Sequence, residues 1–113
     1  MKFLPERRAI SSFGDGGFRF GDHSHRGHLL ILPSGMRAWD GVDFSGVFAE
    51  ADDIDFLIMG TGPGLTRIAG ELAVRFHEAG ISADAMSTSA AVHSYNLMFG
   101  EARRVSAALL VVA

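Results

Sequence analysis

The chain contains no cysteine among its 113 residues. That excludes a disulfide framework, a thiolate nucleophile and any metal site built on cysteine sulfur, and it suits a reducing, cytoplasmic setting. No stretch approaches the ~20 consecutive apolar residues of a membrane-spanning helix. The start, Met-Lys-Phe-Leu-Pro-Glu-Arg-Arg, lacks the apolar core of a secretory signal. Repeats, linkers and low-complexity segments are also missing. The formal net charge of -3 sets the protein against generic nucleic-acid binding. What is present is a globular composition, 48% apolar and 20% charged, in a chain long enough for one domain over residues 1–113. A domain of this size buries roughly two-thirds of the surface its unfolded chain exposes, so it folds without staples.

Charge is unevenly distributed. Residues 1–39 hold six Lys/Arg against three Asp/Glu, whereas Asp40, Asp43, Glu50, Asp52, Asp53 and Asp55 follow with no basic residue among them. This acidic stretch predicts a solvated helix and its flanks. Before it, Asp15-Gly16-Gly17 signals a tight turn, Phe18-Arg19-Phe20 alternates as a half-buried strand does, and residues 28–32 form an apolar run ended by Pro33-Ser34-Gly35. With a further strand over 36–39, these segments predict an antiparallel meander. Asp43 or Ser45 is expected to cap a short helix carrying Phe44, Val47 and Phe48 on one face.

From residue 54 the pattern changes. Residues 54–59 read as a buried strand. Leu65, Ile68, Ala69, Leu72, Phe76 and Ala79 then recur with helical spacing, and Gly80 suits the left-handed residue after a helix end. An extended segment over 81–86 leads to Ser87-Thr88-Ser89, a set of N-cap choices for a helix carrying Ala91, Val92, Tyr95, Met98, Phe99 and Ala102. Residues 105–113 are almost wholly apolar, as in a central strand covered on both faces. The order is strand–helix–strand–helix–strand, and right-handed crossovers make these strands parallel.

The chemically most suggestive segment is Gly60-Thr61-Gly62-Pro63-Gly64, between a strand and a helical pattern. A dinucleotide loop needs Gly-x-Gly-x-x-Gly, and here the third glycine comes one residue early, with Leu65 in its place. No Lys-Ser/Thr follows to make a nucleotide-triphosphate loop, and Pro63 removes one amide N–H. A tight turn needing small residues therefore competes with an anion site at the helix start. Asp22, His23, His25 and His28 resemble a metal set, yet they sit in a glycine-flanked turn with no distant ligand to complete them. Asp52, Asp53 and Asp55 read as solvent-facing rather than as paired catalytic carboxylates. Ser87, Thr88 and Ser89 with His93 lack a third group to orient the histidine. The methionines suit core gaps, and Trp39 a core edge or a partner-facing anchor. Arg103-Arg104 complements a helix end; Arg103 pairs with Glu101 or Asp84, or projects into a pocket with Tyr95 and Asn96.

Three ordered blocks carry a more specific signal. They are Gly14-Asp15-Gly16-Gly17-Phe18-Arg19-Phe20 with Leu30-Ile31-Leu32-Pro33 and Trp39; Gly60-Thr61-Gly62 with Gly80-Ile81; and Met86, Thr88, Ala90-Ala91, Tyr95-Asn96, Glu101 and Arg103-Arg104-Val105 with Ala107-Ala108-Leu109. Together they span nearly the whole chain and resemble the domain of unknown function 498 family. The resemblance implies a three-layer α/β fold, a mixed central sheet with helices plus an extra antiparallel β element. It implies no established activity, cofactor or catalytic residue. A eukaryotic member of the family acts through protein contacts in the assembly of respiratory complex I. The chain departs from the family pattern at His93-Ser94, where Arg-Thr is expected, and at Ala102, where glycine is expected.

The expectation is thus an α/β domain in which an N-terminal β meander precedes a βαβαβ mixed sheet. Its expected role is non-enzymatic binding of a protein partner during assembly of a respiratory or membrane complex, with a homodimer as a further possibility and no cofactor or metal. The alternative is a small-molecule or anion site at residues 60–64 and 87–88. Either groove would draw on Gly60, Thr61, Gly62, Thr88, Tyr95, Asn96 and Arg103.

Overall fold

The structure, a computed structural model, describes residues 6–113; residues 1–5, which carry most of the start read above for a secretory signal, lie outside the described residues. Turn chemistry and alternation build a small first sheet. Strands β1 (Ser12–Gly14), β2 (Gly17–Phe20) and β3 (His23–Arg26) pair antiparallel in that order. Between β1 and β2, Asp15 and Gly16 take φ of 51° and 78°, the doubly positive pattern that follows the twist of a two-residue hairpin. Phe18 and Phe20 are buried on one face while Arg19 is exposed on the other. His23 and His25 lie on β3 rather than in a turn. His23 stacks on Phe20 at 6.0 Å, and His25 Nε2 is 2.9 Å from the His28 carbonyl oxygen.

The expected meander does not stay in one sheet. All four residues of β4 (Leu29–Leu32) are buried, and a one-sided meander cannot cover both faces of such a run. β4 and β5 (Gly35–Ala38) instead join β6 (Phe56–Gly60), β7 (Ser82–Met86) and β8 (Val105–Leu109) in a mixed sheet of order β5-β4-β8-β6-β7. β6 is parallel to β7 and β8, and β4 is antiparallel to β5 and β8.

Strand alternation divides the core. Leu29, Ile31, Ile58, Val105, Ala107 and Leu109 face α3 (Thr88–Gly100), the small sheet and Ile10. Leu30, Leu32, Leu57 and Ala108 face α1 (Ser45–Ala49) and α2 (Gly70–Glu78), through Val47 and Phe76. The result is three layers with the five-stranded sheet in the middle. The chain moves outward from β6 to β7 and then back across β6 to β8. Right-handed crossovers in opposite directions require helices on opposite faces, and that is where α2 and α3 lie.

Two boundaries differ from the helical pattern in the sequence. α2 begins at Gly70 rather than near Leu65, which is 63% exposed. The Thr66 amide donates 2.9 Å to Thr61 Oγ1 instead of entering a helical ladder, and Ala69, at φ -59° and ψ 141°, is still extended. α1 is preceded by Phe44, which supplies no side-chain cap; Asp43 Oδ1 accepts the Ser45 amide at 2.9 Å. Both long helices end alike. Gly80 and Ala102 take φ of 78° and 59°, with Ile81 N bonding Phe76 O at 2.9 Å and Arg103 N bonding Met98 O at 3.0 Å. This is the Schellman arrangement, completed by glycine after α2 and by alanine after α3.

Candidate functional site

In an open α/β sheet, ligands gather at the carboxyl ends of parallel strands, where connections leave neighbouring strands toward opposite faces. Here that point lies between β6 and β7, so the fold brings residues 60–64 and 87–88 together as their positions in the sequence imply. The close approach explains Gly60. A β-carbon there would stand 2.9 Å from Leu109 Cδ2, 3.0 Å from Thr88 Oγ1 and 3.1 Å from Thr88 Cα.

The crevice is closed by the protein's own hydrogen bonds. Fully buried Thr88 accepts from the Gly62 amide at 2.9 Å and donates to the Leu110 carbonyl at 2.7 Å. Its own amide donates to the Gly62 carbonyl at 2.8 Å, and the Leu110 amide to the Gly60 carbonyl at 2.9 Å. One hydroxyl at the start of α3 therefore ties together the chain leaving β6 and the chain leaving β8. Thr61 works on the other side. Its amide donates to the Met86 carbonyl at 2.8 Å, and Thr61 Oγ1 lies 2.6 Å from the Gly64 carbonyl and 3.0 Å from that of Met86. Ser87 caps α3 by accepting the Ala90 amide at 3.3 Å. The amides of Thr61, Gly62, Thr66 and Thr88 all meet protein acceptors. An anion cradle needs such amides free. Of the three glycines, Gly60 serves the close packing of the junction, Gly62 takes a positive φ of 90° and Gly64 is exposed.

Tyr95 and Asn96 stand about 10 Å further along α3 and face the N-terminal segment. Asn96 Oδ1 accepts the Ile10 amide at 2.7 Å and Asn96 Nδ2 donates to the Ile10 carbonyl at 2.8 Å, so the side-chain amide substitutes for a neighbouring strand. Tyr95 OH donates 2.8 Å to the Arg8 carbonyl, and its ring stacks on Phe99 at 5.7 Å. Burial pushes the Tyr95 phenol well above its ordinary value, against a smaller opposing effect of the Arg7 charge. Arg103 lies at the opposite end of the sheet from the glycine loop. Its guanidinium sits 5.0 Å over the Phe56 ring, at the start of β6, and pairs with Glu101 at 3.8 Å. The structure thus joins Gly60, Thr61, Gly62 and Thr88, gives Tyr95 and Asn96 a clamp on residues 8–10, and leaves Arg103 apart.

Other sequence candidates are spread out. Among the described residues no group of three or more His, Cys, Asp or Glu could hold a metal ion. Asp52 and Asp53 are exposed, and Asp55 pairs with Arg104 at 3.2 Å. His93 is exposed on α3. Trp39 is half-buried, donates 2.7 Å to the Asp43 carbonyl and packs edge-on against Phe44 at 5.3 Å. Sequence reasoning missed the clamp because its partners are 86 and 87 residues apart, a separation that periodicity does not reach.

Known proteins share this architecture. The crystal structure of an outer membrane protein from Bartonella henselae matches with a TM-score of 0.94 and 42% identity, covering 98% of this chain and 100% of that one. An uncharacterized protein of Rhodobacter capsulatus is 37% identical over 102 residues, covering 89% of this chain and 82% of its own length. NADH dehydrogenase (ubiquinone) 1 alpha subcomplex assembly factor 3 of Danio rerio is 25% identical over 109 residues, 89% of this chain and 63% of that protein. No helix among the described residues is long and apolar enough to cross a membrane. A family profile described as "Protein of unknown function (DUF498/DUF598)" matches residues 10–110, and with it the chain is placed in that family.

Proposed function

We propose that this protein is a cytoplasmic binding domain that acts by contact with other proteins, in the assembly of a respiratory NADH dehydrogenase or a comparable membrane complex. The observation that carries the proposal is the closed junction at the carboxyl ends of β6, β7 and β8. The position where this fold class ordinarily takes a substrate is filled by Thr61, Thr88 and their hydrogen bonds. Support for the kind of partner comes from the similarity to the Danio rerio assembly factor, which extends over 89% of this chain.

Deleting the coding gene in the native host is expected to lower the amount of assembled NADH dehydrogenase on native gels and to leave subassemblies behind. The wild-type chain supplied in trans should restore the complex. An unchanged amount of complex, with no subassemblies, overturns the proposal.

A further inference from the structure

The outer face of the small sheet takes part in neither the core nor the junction. The pairing register sets Ser12, Arg19 and Ser24 in one row across the three strands, with Gly14, Gly17 and Arg26 in the next. Residues paired across a sheet share a face, and Phe18 and Phe20 turn to the other face, into the core. The floor of the outer face is therefore made of small residues. At Gly17 a β-carbon would stand 2.5 Å from the His25 carbonyl oxygen, so no larger residue fits there without moving β3. Arg19 and Arg26 are exposed beside this floor and line a cleft of about 470 Å³, a size that suits a small ligand.

Among the described residues, the arginines on this face have no carboxylate partner. Arg37, Arg103 and Arg104 each have a carboxylate oxygen within 3.9, 3.8 and 3.2 Å, respectively. Among the described residues, neither Arg19 nor Arg26 takes part in an ion pair; Arg7, Arg8, Arg67 and Arg75 are alike in this, but only Arg19 and Arg26 line the cleft together. Asp15, at the hairpin tip, also lines the cleft and opposes an anion there. One arginine fork satisfies both oxygens of a carboxylate, whereas a phosphate monoester presents three acceptor oxygens and nearly two charges to two guanidiniums and the neighbouring hydroxyls. The net charge of -3 sets the whole molecule against a long polyanion.

We propose that the outer face of β1–β3 is a binding site for a small, soluble phosphate monoester, held by Arg19 and Arg26 with Ser12 and Ser24 beside them. The site is separate from the glycine junction and does not depend on the role proposed above.

Amide chemical shifts report the site directly. Titration of the full chain with glucose 6-phosphate, at fixed ionic strength, is expected to give saturable shifts on β1–β3 and none at residues 60–64 or 87–89. Glucose alone should give none. Arg19→Gln and Arg26→Gln should each weaken binding by about tenfold or more. Asp15→Asn, which suits the same positive-φ turn, should tighten it. Both arginines are exposed, so an unchanged far-ultraviolet spectrum will show that the variants fold. The proposal is overturned if β1–β3 shows no saturable shift, or if the arginine variants bind as the wild type does. Shifts confined to the glycine junction also overturn it. So does sedimentation with phosphatidic acid vesicles or binding to duplex DNA through this face when the soluble ester fails to bind.

Discussion

The carboxyl ends of the parallel strands and the outer face of the small sheet are both lined with glycine, and they use it in opposite ways. At the junction, Gly60 lets α3 approach the sheet until Thr88 can bond Gly62 and Leu110, and the amides of Thr61, Gly62, Thr66 and Thr88 meet protein acceptors. On the small sheet, Gly14 and Gly17 leave a floor without side chains, and the guanidiniums beside it have no carboxylate partner among the described residues. One glycine in each segment, Gly60 and Gly17, permits a close approach of backbone. Whether a ligand belongs there depends on which donors remain free.

If that contrast is right, changes at the junction should alter stability. The largest effect is expected at Gly60. Gly60→Val places a branched side chain against Leu109 and the Thr88 backbone, and overpacking of this kind should lower unfolding free energy by about 3 kcal/mol. Denaturant melts would check it. A ligand site that merely tolerated glycine would show little loss of stability. Thr88→Val keeps the shape and removes the hydroxyl, leaving the Gly62 amide and the Leu110 carbonyl without this partner. The expected loss is about 2 kcal/mol, with Thr88→Ser recovering most of it.

The clamp on residues 8–10 gives a pH-dependent test. Tyr95 is the single tyrosine of the chain, and its phenol is raised above the ordinary value of 10.0 by burial. Above pH 10 the unfolded chain releases this proton while the folded chain keeps it. The stability contribution is thus fully present below pH 10 and declines as pH rises toward the folded value, by at most about 1.4 kcal/mol per pH unit from this group. Phenolate absorbance should therefore appear together with unfolding rather than before it. Tyr95→Phe should lose the bond to the Arg8 carbonyl at neutral pH and flatten the alkaline decline. Phenolate formation in the folded protein near pH 10 would contradict the buried clamp.

How far the sequence revealed these regions depends on the range of the interactions. Local rules identified the turn at Asp15-Gly16-Gly17, a cap among Ser87, Thr88 and Ser89, the left-handed Gly80 and the buried character of β8, because each is settled within a few residues. Two rules conflicted at β4. Proximity along the chain assigned it to the N-terminal meander, but four consecutive buried residues required a sheet covered on both faces. Helical spacing extended α2 back to Leu65, although Thr61 takes the Thr66 amide and holds that stretch out of the helix. For the candidate site, the sequence correctly brought residues 60–64 beside Thr88. It could not reveal that the amides of Thr61, Gly62, Thr66 and Thr88 were already bonded, or that Asn96 would hold Ile10 from 86 residues away. The row of Ser12, Arg19 and Ser24 emerges only once both hairpin registers are fixed.

The two helix ends permit a smaller, stabilising test. Both use a left-handed residue, yet Ala102 at φ 59° carries a β-carbon where Gly80 has none. A left-handed alanine is strained by roughly 1–2 kcal/mol, part of which is offset by the greater freedom glycine has when unfolded. Ala102→Gly should therefore stabilise the protein by about 1 kcal/mol, whereas Gly80→Ala should destabilise it by a similar amount. Thermal melts of the pair would show whether the left-handed alanine is tolerated strain. A neutral Ala102→Gly would mean that the surrounding bonds of Phe99 and Met98 already determine the turn.

Ser106 is the exception within the closed half. It is fully buried in β8, opposite Leu57, and its Oγ has no hydrogen-bond partner among the described residues. The Thr88 hydroxyl, which bonds Leu110 beyond the far end of β8, holds two chain segments together, whereas this one contributes only desolvation. Replacing a buried, unpartnered hydroxyl by hydrogen removes that penalty and creates only a very small space. Ser106→Ala should therefore be neutral or stabilising by up to about 1 kcal/mol, the opposite sign to Thr88→Val. A clear loss of stability would mean that the hydroxyl does find an acceptor in solution. Internal satisfaction of polar groups would then extend through the whole five-stranded half of the molecule.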